Sequence, residues 1–504
     1  MDILTKTISL VFERRSIEIP HIAAEAPLVQ RKQLTKLLSA AAGTEYGRKF
    51  DFSSIRSYEQ FAERVPLSSY DDLKPYISRM INGESNILWP SLVKWFAKSS
   101  GTTNDKSKFL PVTKEILHHC HYQGGFDCLA MYLRNTTDSH FFSKKSLILG
   151  GSHSPSPLNN EAHQGDLSAV MIENLPSLAN MLRVPSRKIV LMDEWESKIK
   201  AIVEGTCHRD IVSLSGVPSW MLVLIKAVMR HCGATTLDEV WPNLEVFFHG
   251  GISFEPYRDT YKELIKSPRM HYMETYNASE GFFALQDDPF NHSMLIMPDY
   301  GIFYEFIPFA EEGSEQPVAV PLSEVKKDSN YAVVITTCGG LWRYRLGDTI
   351  RFTSVNPYKF VITGRTKNYI NAFGEELMVD NADKAIAETC RITGATVKEF
   401  TAAPLFLLGD AKGRHQWFIE FEKQPESIKI FSSVLDESLK ELNSDYEAKR
   451  YKEISLQPPE IIVAREGSFY EWMRRNDKLG GQHKVPRLFN DRSFIEALIR
   501  INEE

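Results

Sequence analysis

Cysteine is scarce in this sequence, and its six residues are scattered along the chain. The nearest two, Cys120 and Cys128, are eight residues apart, so the CxxC spacing of a zinc ribbon or a thioredoxin-like pair is missing. Isolated thiols are typical of the reducing cytosol rather than of a disulfide framework. We therefore expect free cysteines in a cytoplasmic protein.

Long hydrophobic runs are also missing. The longest uncharged apolar stretch, residues 211–225, is interrupted by Gly216 and Pro218, and a membrane span needs about 20 apolar residues. The opening MDILTKTISLVFERR has a short apolar patch, but Arg14 and Arg15 follow where a signal peptide would place small residues. The sequence predicts an amphipathic first helix and no membrane partner.

The sequence has no large excess of positive or negative charge. Across 504 residues, 59 Lys and Arg oppose 65 Asp and Glu, which gives a formal net charge of −6 without a long block of either sign. Proteins that bind the phosphate backbone usually carry a basic excess, so no nucleic-acid partner is expected. The length is sufficient for more than one domain with a substantial core.

Several enzyme signatures are missing as well. None of the 28 glycines is separated from another by a single residue, which excludes the GxGxxG dinucleotide fingerprint. The sequence has no Gly-Lys dipeptide for a Walker A loop, no His-Glu dipeptide for an HExxH zinc protease and no GxSxG nucleophile elbow. The chemistry must rest on other motifs.

Hydrophobic patterning predicts an α/β fold in the first part of the chain. Residues 28–42 have the apolar spacing of a helix, whereas residues 93–97, 146–149, 188–192 and 244–248 resemble short strands. Strands that alternate with helical segments are typical of a parallel sheet covered by helices. We therefore expect a layered domain of helices and mixed β-sheets.

A domain boundary is predicted near residue 364. After it, residues 416–421 have the pattern of a strand and residues 427–442 that of an amphipathic helix. This last part is long enough to have its own core. The sequence predicts a large amino-terminal domain over residues 1–363 and a small α+β carboxy-terminal lid over residues 364–504.

The first candidate motif is SSGTT at residues 99–103, which follows a predicted strand and precedes Lys106 and Lys108. Small hydroxyl residues around a glycine at a strand end offer N–H and O–H donors that can wrap a phosphate. The same composition is common in ordinary loops, and that interpretation is favoured for the pentapeptide alone.

The second candidate motif is YNASEG at residues 276–281. Its carboxylate, Glu280, could bind Mg²⁺, which prefers oxygen ligands and often takes one or two carboxylates together with substrate phosphates. Alternatively, Asn277 and Ser279 cap a turn and Glu280 is solvated. For this motif alone the turn is the favoured interpretation.

Two further motifs contain isolated charged residues. YRLGD at residues 344–348 places Asp348 after a glycine, where a carboxylate can accept both hydroxyls of a ribose; a surface Asp–Arg pair is the alternative. GGQHKVPR at residues 480–487 places Lys484 on a glycine-rich loop that can deliver a mobile charge. A glycine-flanked surface lysine is the ordinary interpretation of that loop.

A run of His118, His119, Cys120 and His121 looks like a metal cluster. On a helix only His118 and His121 share a face, and no second ligand pair with metal spacing follows. We do not expect a metal site in this run.

Taken in order, SSGTT, YNASEG and YRLGD resemble the three nucleotide-binding motifs of the Gretchen Hagen-type, auxin-responsive acyl acid amido synthetases. That family belongs to the adenylate-forming superfamily, which includes acyl-CoA synthetases and luciferases. The resemblance extends over nearly the whole chain, with Lys367 in the place of the superfamily's hinge. It implies a nucleotide- and acyl-binding domain followed by a mobile lid.

The resemblance implies roles for individual residues. The residues that would contact ATP are Ser99, Ser100, Thr102, Thr103, Lys108, Gly250, Gly251, Tyr276, Ser279, Asp348 and Arg365. Of these, the SSGTT hydroxyls would line the phosphates, Tyr276 would stack near the adenine and Asp348 would hold the ribose. Glu280 would bind Mg²⁺, and Lys484 would be the mobile catalytic lysine.

The activity implied by the resemblance is that of an ATP-dependent ligase. A carboxylic acid would attack the α-phosphorus of ATP, and an amino acid would then take the acyl group from the adenylate, with release of AMP. The sequence departs from the superfamily in its phosphate loop, which lacks the extra glycine and proline usual in CoA ligases. One alternative is an acyl-CoA ligase with CoA as the acceptor. The other is a catalytically silent nucleotide-binding module.

Overall fold

The structure is a computed structural model of the 504-residue chain. It describes all residues except 100–107, 157–160, 252–253, 312–313, 315, 367–368, 371, 373–374, 376, 407–412, 451–455, 477, 480–484 and 490. It describes only the backbone of residues 177–179, 195, 219, 256, 365, 406, 444–445 and 448.

The helices are distributed along the whole described chain. The α-helices are α1 (Ile3–Ala24), α2 (Ala26–Ala41), α3 (Glu45–Lys49), α4 (Tyr58–Arg64), α5 (Tyr70–Ile81), α6 (Lys114–Ile116), α7 (Gln123–Asn135), α8 (Leu167–Glu173), α9 (Ser177–Leu182), α10 (Arg187–Val190), α11 (Trp195–Thr206), α12 (Pro218–Cys232), α13 (Arg258–Leu264), α14 (Val379–Thr393), α15 (Ile428–Leu442), α16 (Ser444–Arg450), α17 (Ser468–Arg475) and α18 (Ser493–Glu503). Among the described helices, none is both long and apolar enough to cross a bilayer.

The strands form four sheets. They are β1 (Trp95–Ser99), β2 (Lys108–Val112), β3 (Lys145–Ile148), β4 (His153–Pro155), β5 (His163–Asp166), β6 (Arg183–Val184), β7 (Ile211–Gly216), β8 (Val246–Gly250), β9 (His271–Ala278), β10 (Gly281–Leu285), β11 (Met294–Ile296), β12 (Ile302–Pro308), β13 (Val320–Pro321), β14 (Asn330–Thr337), β15 (Tyr344–Val355), β16 (Tyr358–Arg365), β17 (Tyr369–Ile370), β18 (Leu377–Met378), β19 (Thr396–Phe406), β20 (Gly413–Lys423) and β21 (Glu460–Ala464).

The chain is divided into two compact units. The first consists of residues 1–251, 263–346 and 350–361, and the second of residues 252–262, 347–349 and 362–504. The main segment of the second unit begins close to the predicted boundary at residue 364. The two short segments from earlier in the chain were not part of that prediction, because their neighbours are distant in sequence.

The largest sheet has twelve strands in the order β13-β12-β14-β15-β16-β11-β10-β9-β8-β7-β3-β6. Strands β6, β3, β7, β8 and β9 are parallel to one another, whereas β9, β10, β11 and β16 are antiparallel. The prediction of mixed sheets with a parallel part is therefore confirmed. In such sheets, ligands bind beyond the carboxyl ends of the parallel strands. For β8 and β9 these ends are Gly250 and Ala278.

A four-stranded sheet, in the order β2-β1-β5-β4, carries the start of the SSGTT motif. Strand β1 is antiparallel to β2 and parallel to β5. Phe96 and Ala97 of β1 are buried, and Ser99 is the last residue of the strand. The apolar run predicted as a strand thus ends at the motif, as expected.

The two amino-terminal helices are fixed to the first unit by buried polar groups. Arg15 on α1 donates two hydrogen bonds to Asp127 on α7, at 3.0 Å from Nε and 2.7 Å from Nη2, and the Tyr300 hydroxyl donates to the same carboxylate at 2.7 Å. Gln30 on α2 donates to two backbone carbonyls, both at 2.8 Å. These helices are therefore part of the core and not an appendage.

The second unit has a three-stranded sheet, β19-β20-β21. Helices α14 and α15 pack together, and Phe431 and Leu435 of α15 share a hydrophobic core with Trp417 of β20. The strand predicted at residues 416–421 and the helix predicted at residues 427–442 are both confirmed.

One predicted strand is wrong. Residues 188–192 overlap α10, a four-residue helix that begins after Ser186. The other predicted strands, at residues 146–149 and 244–248, correspond to β3 and β8. A short apolar run has too few positions for its periodicity to distinguish a strand from a helical turn, so this error has a physical cause.

Candidate nucleotide site

The two ends of the SSGTT loop are fixed by a strand pair. Ser99 ends β1 and Lys108 begins β2, and the two residues face each other in the antiparallel ladder. The Lys108 ammonium lies 5.8 Å from the centroid of the Tyr70 ring, which is within the range of a cation–π contact. The structure therefore brings a hydroxyl and a cation together at the base of the loop.

The glycine pair at the end of β8 allows two backbones to approach closely. Gly250 is paired with Thr275 of β9, and a Cβ added at Gly250 would overlap the Thr275 carbonyl oxygen. Gly251 has a φ of +86°, in the left-handed region that favours glycine. Steric crowding at Gly250 and the positive φ of Gly251 thus explain why both positions are glycine. The contact of this backbone with a nucleotide base stays a prediction.

Ser279 and Glu280 form the turn of the hairpin between β9 and β10. The pair Ala278–Gly281 closes the hairpin, and both turn residues are buried, with Ser279 6% and Glu280 8% exposed. A carboxylate buried to this extent stays charged only beside hydrogen-bond donors or a cation. The turn was expected, but a fully solvated Glu280 was the wrong alternative.

Tyr276 is packed inside the first unit. Its ring is 6% exposed, with its centroid 4.8 Å from that of Phe283 and 6.0 Å from that of Phe360, both in edge-on contacts. Most of the ring surface is therefore occupied by protein. The stacking of Tyr276 near adenine remains a prediction that this packing does not favour.

A π-helical turn contacts the hairpin from the segment that follows β2. We call these residues, Leu117–Tyr122, the π segment. The Cys120 thiol accepts a hydrogen bond from the Phe282 N–H at 3.0 Å and lies 3.5 Å from the Phe282 carbonyl oxygen. The β9–β10 ladder is irregular between Phe282 and Ala284, so Cys120 partners backbone groups at a bulge.

The next residue of the π segment, His121, contacts the other strand of the hairpin. Its Nδ1 lies 3.0 Å from Oδ1 of Asn277, and because an amide oxygen accepts, Nδ1 carries the proton. Burial lowers the pKa of His121 to about 4, against a smaller opposing effect of the bond to Asn277. The ring is therefore neutral near pH 7.

The contact between His121 and Asn277 was missed by sequence reasoning. The sequence pattern presents His121 as a possible metal ligand and Asn277 as a possible turn cap, and neither interpretation pairs the two residues. One indication was present in the sequence: Asn277 of the YNASEG motif is a polar residue on a strand, and a buried polar side chain needs a hydrogen-bond partner. The identity of that partner could not be read from the sequence.

The second unit contains Asp348, which is 7% exposed. The preceding Gly347 has a φ of +85°, and its carbonyl oxygen accepts a hydrogen bond from the Thr366 N–H at 2.9 Å. This bond joins the segment of Asp348 to the segment of Arg365. Asp348 therefore lies on β15, directly after a glycine in the left-handed region. The ribose contact implied for Asp348 stays a prediction.

Some predicted site residues lie outside the described residues. They are Ser100, Thr102, Thr103, Lys367 and Lys484. Arg365 is described by its backbone alone. The roles implied for these residues stay predictions.

The described donors fit an Mg²⁺ ion that is bound mainly through a substrate. Glu280 and Ser279 offer one carboxylate and one hydroxyl, the oxygen ligands that Mg²⁺ prefers. In the described part of the chain, no group of three or more His, Cys, Asp or Glu side chains is placed to hold a metal ion. One carboxylate together with phosphates and waters is a common coordination for this ion.

Three domain patterns of one protein family match the sequence. The GH3 family N-terminal domain matches residues 15–270, the central domain matches residues 295–365 and the C-terminal domain matches residues 380–493. Together these matches cover most of the chain and follow in the order of the family.

Relatives of similar sequence have the names of synthetases and ligases. The chain is 26% identical to indole-3-acetic acid-amido synthetase GH3.8 of Oryza sativa subsp. indica, over 95% of this chain and 91% of that protein. It is 24% identical to 4-substituted benzoates-glutamate ligase GH3.12 of Arabidopsis thaliana, over 95% of this chain and 96% of that protein.

Solved structures have the same fold. The complex of AtGH3.15 acyl acid amido synthetase with 2,4-DB matches with a TM-score of 0.79 and 20% identity, over 97% of this chain and 96% of that chain. The 2-hydroxyisobutyryl-CoA ligase in the postadenylation state, with 2-HIB-AMP, matches with a TM-score of 0.62 and 14% identity, over 94% and 92%. The chain shares the fold of these two enzymes, and its three domain matches show that it belongs to the GH3 family.

Proposed function

We propose that this chain is an ATP-dependent ligase that converts a carboxylic acid to an acyl-adenylate and then joins the acyl group to an amino acid. The observation that carries the proposal is the buried Ser279–Glu280 turn at the carboxyl edge of the parallel strands. It is one of three nucleotide motifs that occur in the family's order. The presence of Glu280 together with Asp348 and Lys484 favours an active enzyme over a catalytically silent module.

In the first half-reaction, a carboxylate oxygen of the acid attacks the α-phosphorus of ATP. The new P–O bond forms while the bond to pyrophosphate breaks, and negative charge is spread over the phosphate oxygens. Ser99 and the following loop bind these oxygens, and the Lys108 ammonium at the loop base adds positive charge. When bound, Mg²⁺ supplies further charge neutralisation, and Glu280 is the residue that would hold it.

In the second half-reaction, the amine nitrogen of the acceptor attacks the carbonyl carbon of the adenylate. The C–N bond forms, the C–O bond to AMP breaks and the amine proton passes to solvent. Asp348 would hold the ribose hydroxyls, with Arg365 nearby, so that the adenylate stays in place. Lys484 would stabilise the phosphate charge from a mobile lid, residues 364–504.

The names of the relatives favour an amino acid as the acceptor. Their acids, indole-3-acetic acid and 4-substituted benzoates, are aromatic, and one of the two relatives uses glutamate. For this chain we propose an acid with an apolar body. The likeness to 2-hydroxyisobutyryl-CoA ligase concerns the fold and does not favour CoA. The scattered cysteines support a cytoplasmic location for this reaction.

The proposal is tested by ATP–pyrophosphate exchange with a panel of aryl and alkyl carboxylic acids. We expect exchange with at least one class of acids, and amide formation on addition of an amino acid without CoA. Turnover that requires CoA would establish the ligase alternative instead. Exchange that stays flat across the whole panel, in an enzyme that binds ATP, would support the silent module.

Glu280→Gln provides the internal test of the site. The variant keeps the size of the side chain and removes its charge, and loss of one transition-state interaction costs about 10²- to 10³-fold in rate. Glu63→Gln, at an exposed position of α4, is the matched control and should leave exchange unchanged. Equal activity of both variants would remove Glu280 from the proposed role.

A further inference from the structure

The π segment holds both members of one cross-strand pair. Asn277 of β9 faces Phe282 of β10, beneath the turn that carries Glu280. Cys120 binds the Phe282 backbone, and the adjacent His121 binds the Asn277 side chain at 3.0 Å. Two consecutive residues thus contact both strands that support the carboxylate.

The helix that follows the π segment lies directly against the same hairpin. A Cβ added at Gly124, in the first turn of α7, would overlap the ring of Phe282. A Cβ at Gly281 would come within 2.7 Å of the Ile302 side chain and 3.5 Å of the Cys120 sulfur. A displacement of the π segment is therefore transmitted to the hairpin, since no space separates them.

The hydrogen bonding of the buried His121 ring includes a feature that destabilises the fold. The ring is fully buried, and with its Nδ1 proton donated to Asn277, Nε2 keeps a lone pair. Within the described residues Nε2 has no hydrogen-bond partner, and a buried acceptor without a partner destabilises the fold. An apolar ring would fill this site without that cost, so the donor to Asn277 is the useful feature of the histidine.

We propose that His121 is a positioning residue for adenylation, which acts through Asn277 on the hairpin that carries Glu280. This inference rests on the proposed function, because it assigns Glu280 to the magnesium nucleotide. Without the bond, the end of β9 is held by its ladder alone and the carboxylate samples a wider range of positions. Small displacements of the groups that surround the reacting atoms lower the reaction rate substantially. The irregular π-helical turn agrees with this role, since such turns are frequent at functional sites.

The test compares variants that remove or keep the donor. His121→Phe fills the site without a donor, and His121→Asn places an amide N–H close to the former Nδ1 position. We expect His121→Phe to lower kcat for pyrophosphate exchange about tenfold, the effect of one neutral hydrogen bond. His121→Asn should recover part of the rate. The thermal midpoint of His121→Phe at pH 7.5 should stay close to that of the wild type, because removal of the unpartnered Nε2 offsets the loss of the bond to Asn277.

Two further arms separate positioning from a merely structural role. In a Glu280→Gln background, His121→Phe should have little additional effect on the rate, because both changes act on one carboxylate. Calorimetric titration with Mg²⁺ and ATP, without acid, should show weaker binding for His121→Phe. His119→Phe, at an exposed position of the same π segment, is the control and should match the wild type in each measurement.

Three results would overturn the inference: wild-type rates for His121→Phe, equal rate losses with and without Glu280, or a rate loss explained by a lower thermal midpoint. An absence of exchange in the wild type with every acid would refute the proposed function instead. In that case the calorimetric arm still decides on His121, because it needs no acid. Equal Mg²⁺–ATP binding by the two proteins would then reject the positioning role.

Discussion

The guanidinium of Arg343 and the carboxylate of Glu305 form a buried ion pair, with Nη2 2.8 Å from Oε1. Glu305 is fully buried, and it also accepts a hydrogen bond from the Tyr58 hydroxyl at 3.0 Å. Arg343 donates further bonds to the carbonyl oxygens of Ala62 and Val65, at 2.8 and 2.7 Å. The pair thus joins α4 and the segment after it to the large sheet.

Arg343→Met is expected to destabilise the protein strongly. It leaves the Glu305 carboxylate buried without its cation, and breaking a buried pair in this way costs about 3–5 kcal/mol. Adding Glu305→Gln should restore part of the loss, since no charge is then left. Urea unfolding measures the free energies. Arg14→Met, in the exposed pair of Arg14 and Glu18, is the control and should show no measurable change. A small effect of Arg343→Met would contradict the role of the pair.

Gly250→Ala should lower both stability and adenylation activity. The new methyl group overlaps the backbone oxygen of Thr275, so β8 and β9 must separate; overpacking of this kind costs about 1–3 kcal/mol. Gly205→Ala in α11 meets no atom within 4 Å and should stabilise the helix by about 0.5–1 kcal/mol. Thermal unfolding and pyrophosphate exchange on both variants check this pair of opposite outcomes.

The stability of the protein should fall as the pH is lowered from 7 to 5, in part through His121. Burial lowers the pKa of His121 to about 4, whereas the pKa of an exposed imidazole is 6.5. The unfolded chain therefore takes up a proton in this range that the folded chain does not bind, which removes about 2 kcal/mol of folding free energy between pH 7 and pH 5.

His121→Phe should reduce the loss of stability between pH 7 and pH 5 by about that amount, because the variant has no imidazole to titrate. Unfolding free energies of the wild type and the variant at the two pH values provide the measurement. His119→Phe should keep the wild-type pH dependence. An unchanged slope for His121→Phe would show that His121 is not held neutral.

Asp348→Asn should raise the KM for ATP with a smaller effect on kcat. The amide keeps the shape of the side chain but weakens the bonds to the ribose hydroxyls, and hydrogen bonds to a charged group are worth about 1.5–3 kcal/mol, or roughly 10- to 100-fold. Asp328→Asn, at an exposed turn, is the control. Initial rates over a range of ATP concentrations separate the two constants, and an unchanged KM would remove Asp348 from the ribose.

The parts of the fold that depend on local pattern were predictable. The apolar residues before Ser99 formed β1, the amphipathic repeat at residues 427–442 formed α15, and the small polar residues around Glu280 formed a turn. In each case neighbouring residues alone determine the hydrophobic periodicity or the turn. The order of the motifs then identified the family.

The parts that depend on distant residues were not predictable. His121 and Asn277 are 156 residues apart in sequence, and each has an ordinary alternative role. The second unit includes residues 252–262 and 347–349, whose neighbours come from the carboxy-terminal part of the chain. Hydrophobic periodicity in the sequence does not predict such contacts, because they depend on the tertiary packing of elements that are distant in sequence.

The hydrogen bonds between Arg15 and Asp127 set a limit on shortening the protein for crystallisation. A version that begins after Arg15 would leave the Asp127 carboxylate, which is fully buried, without its guanidinium partner. A buried carboxylate that loses its cation destabilises the fold by about 3–5 kcal/mol, and the hydrogen bond from the Tyr300 hydroxyl would be only a partial compensation. Trimmed versions should therefore retain the whole of α1, even though one face of that helix is exposed to solvent.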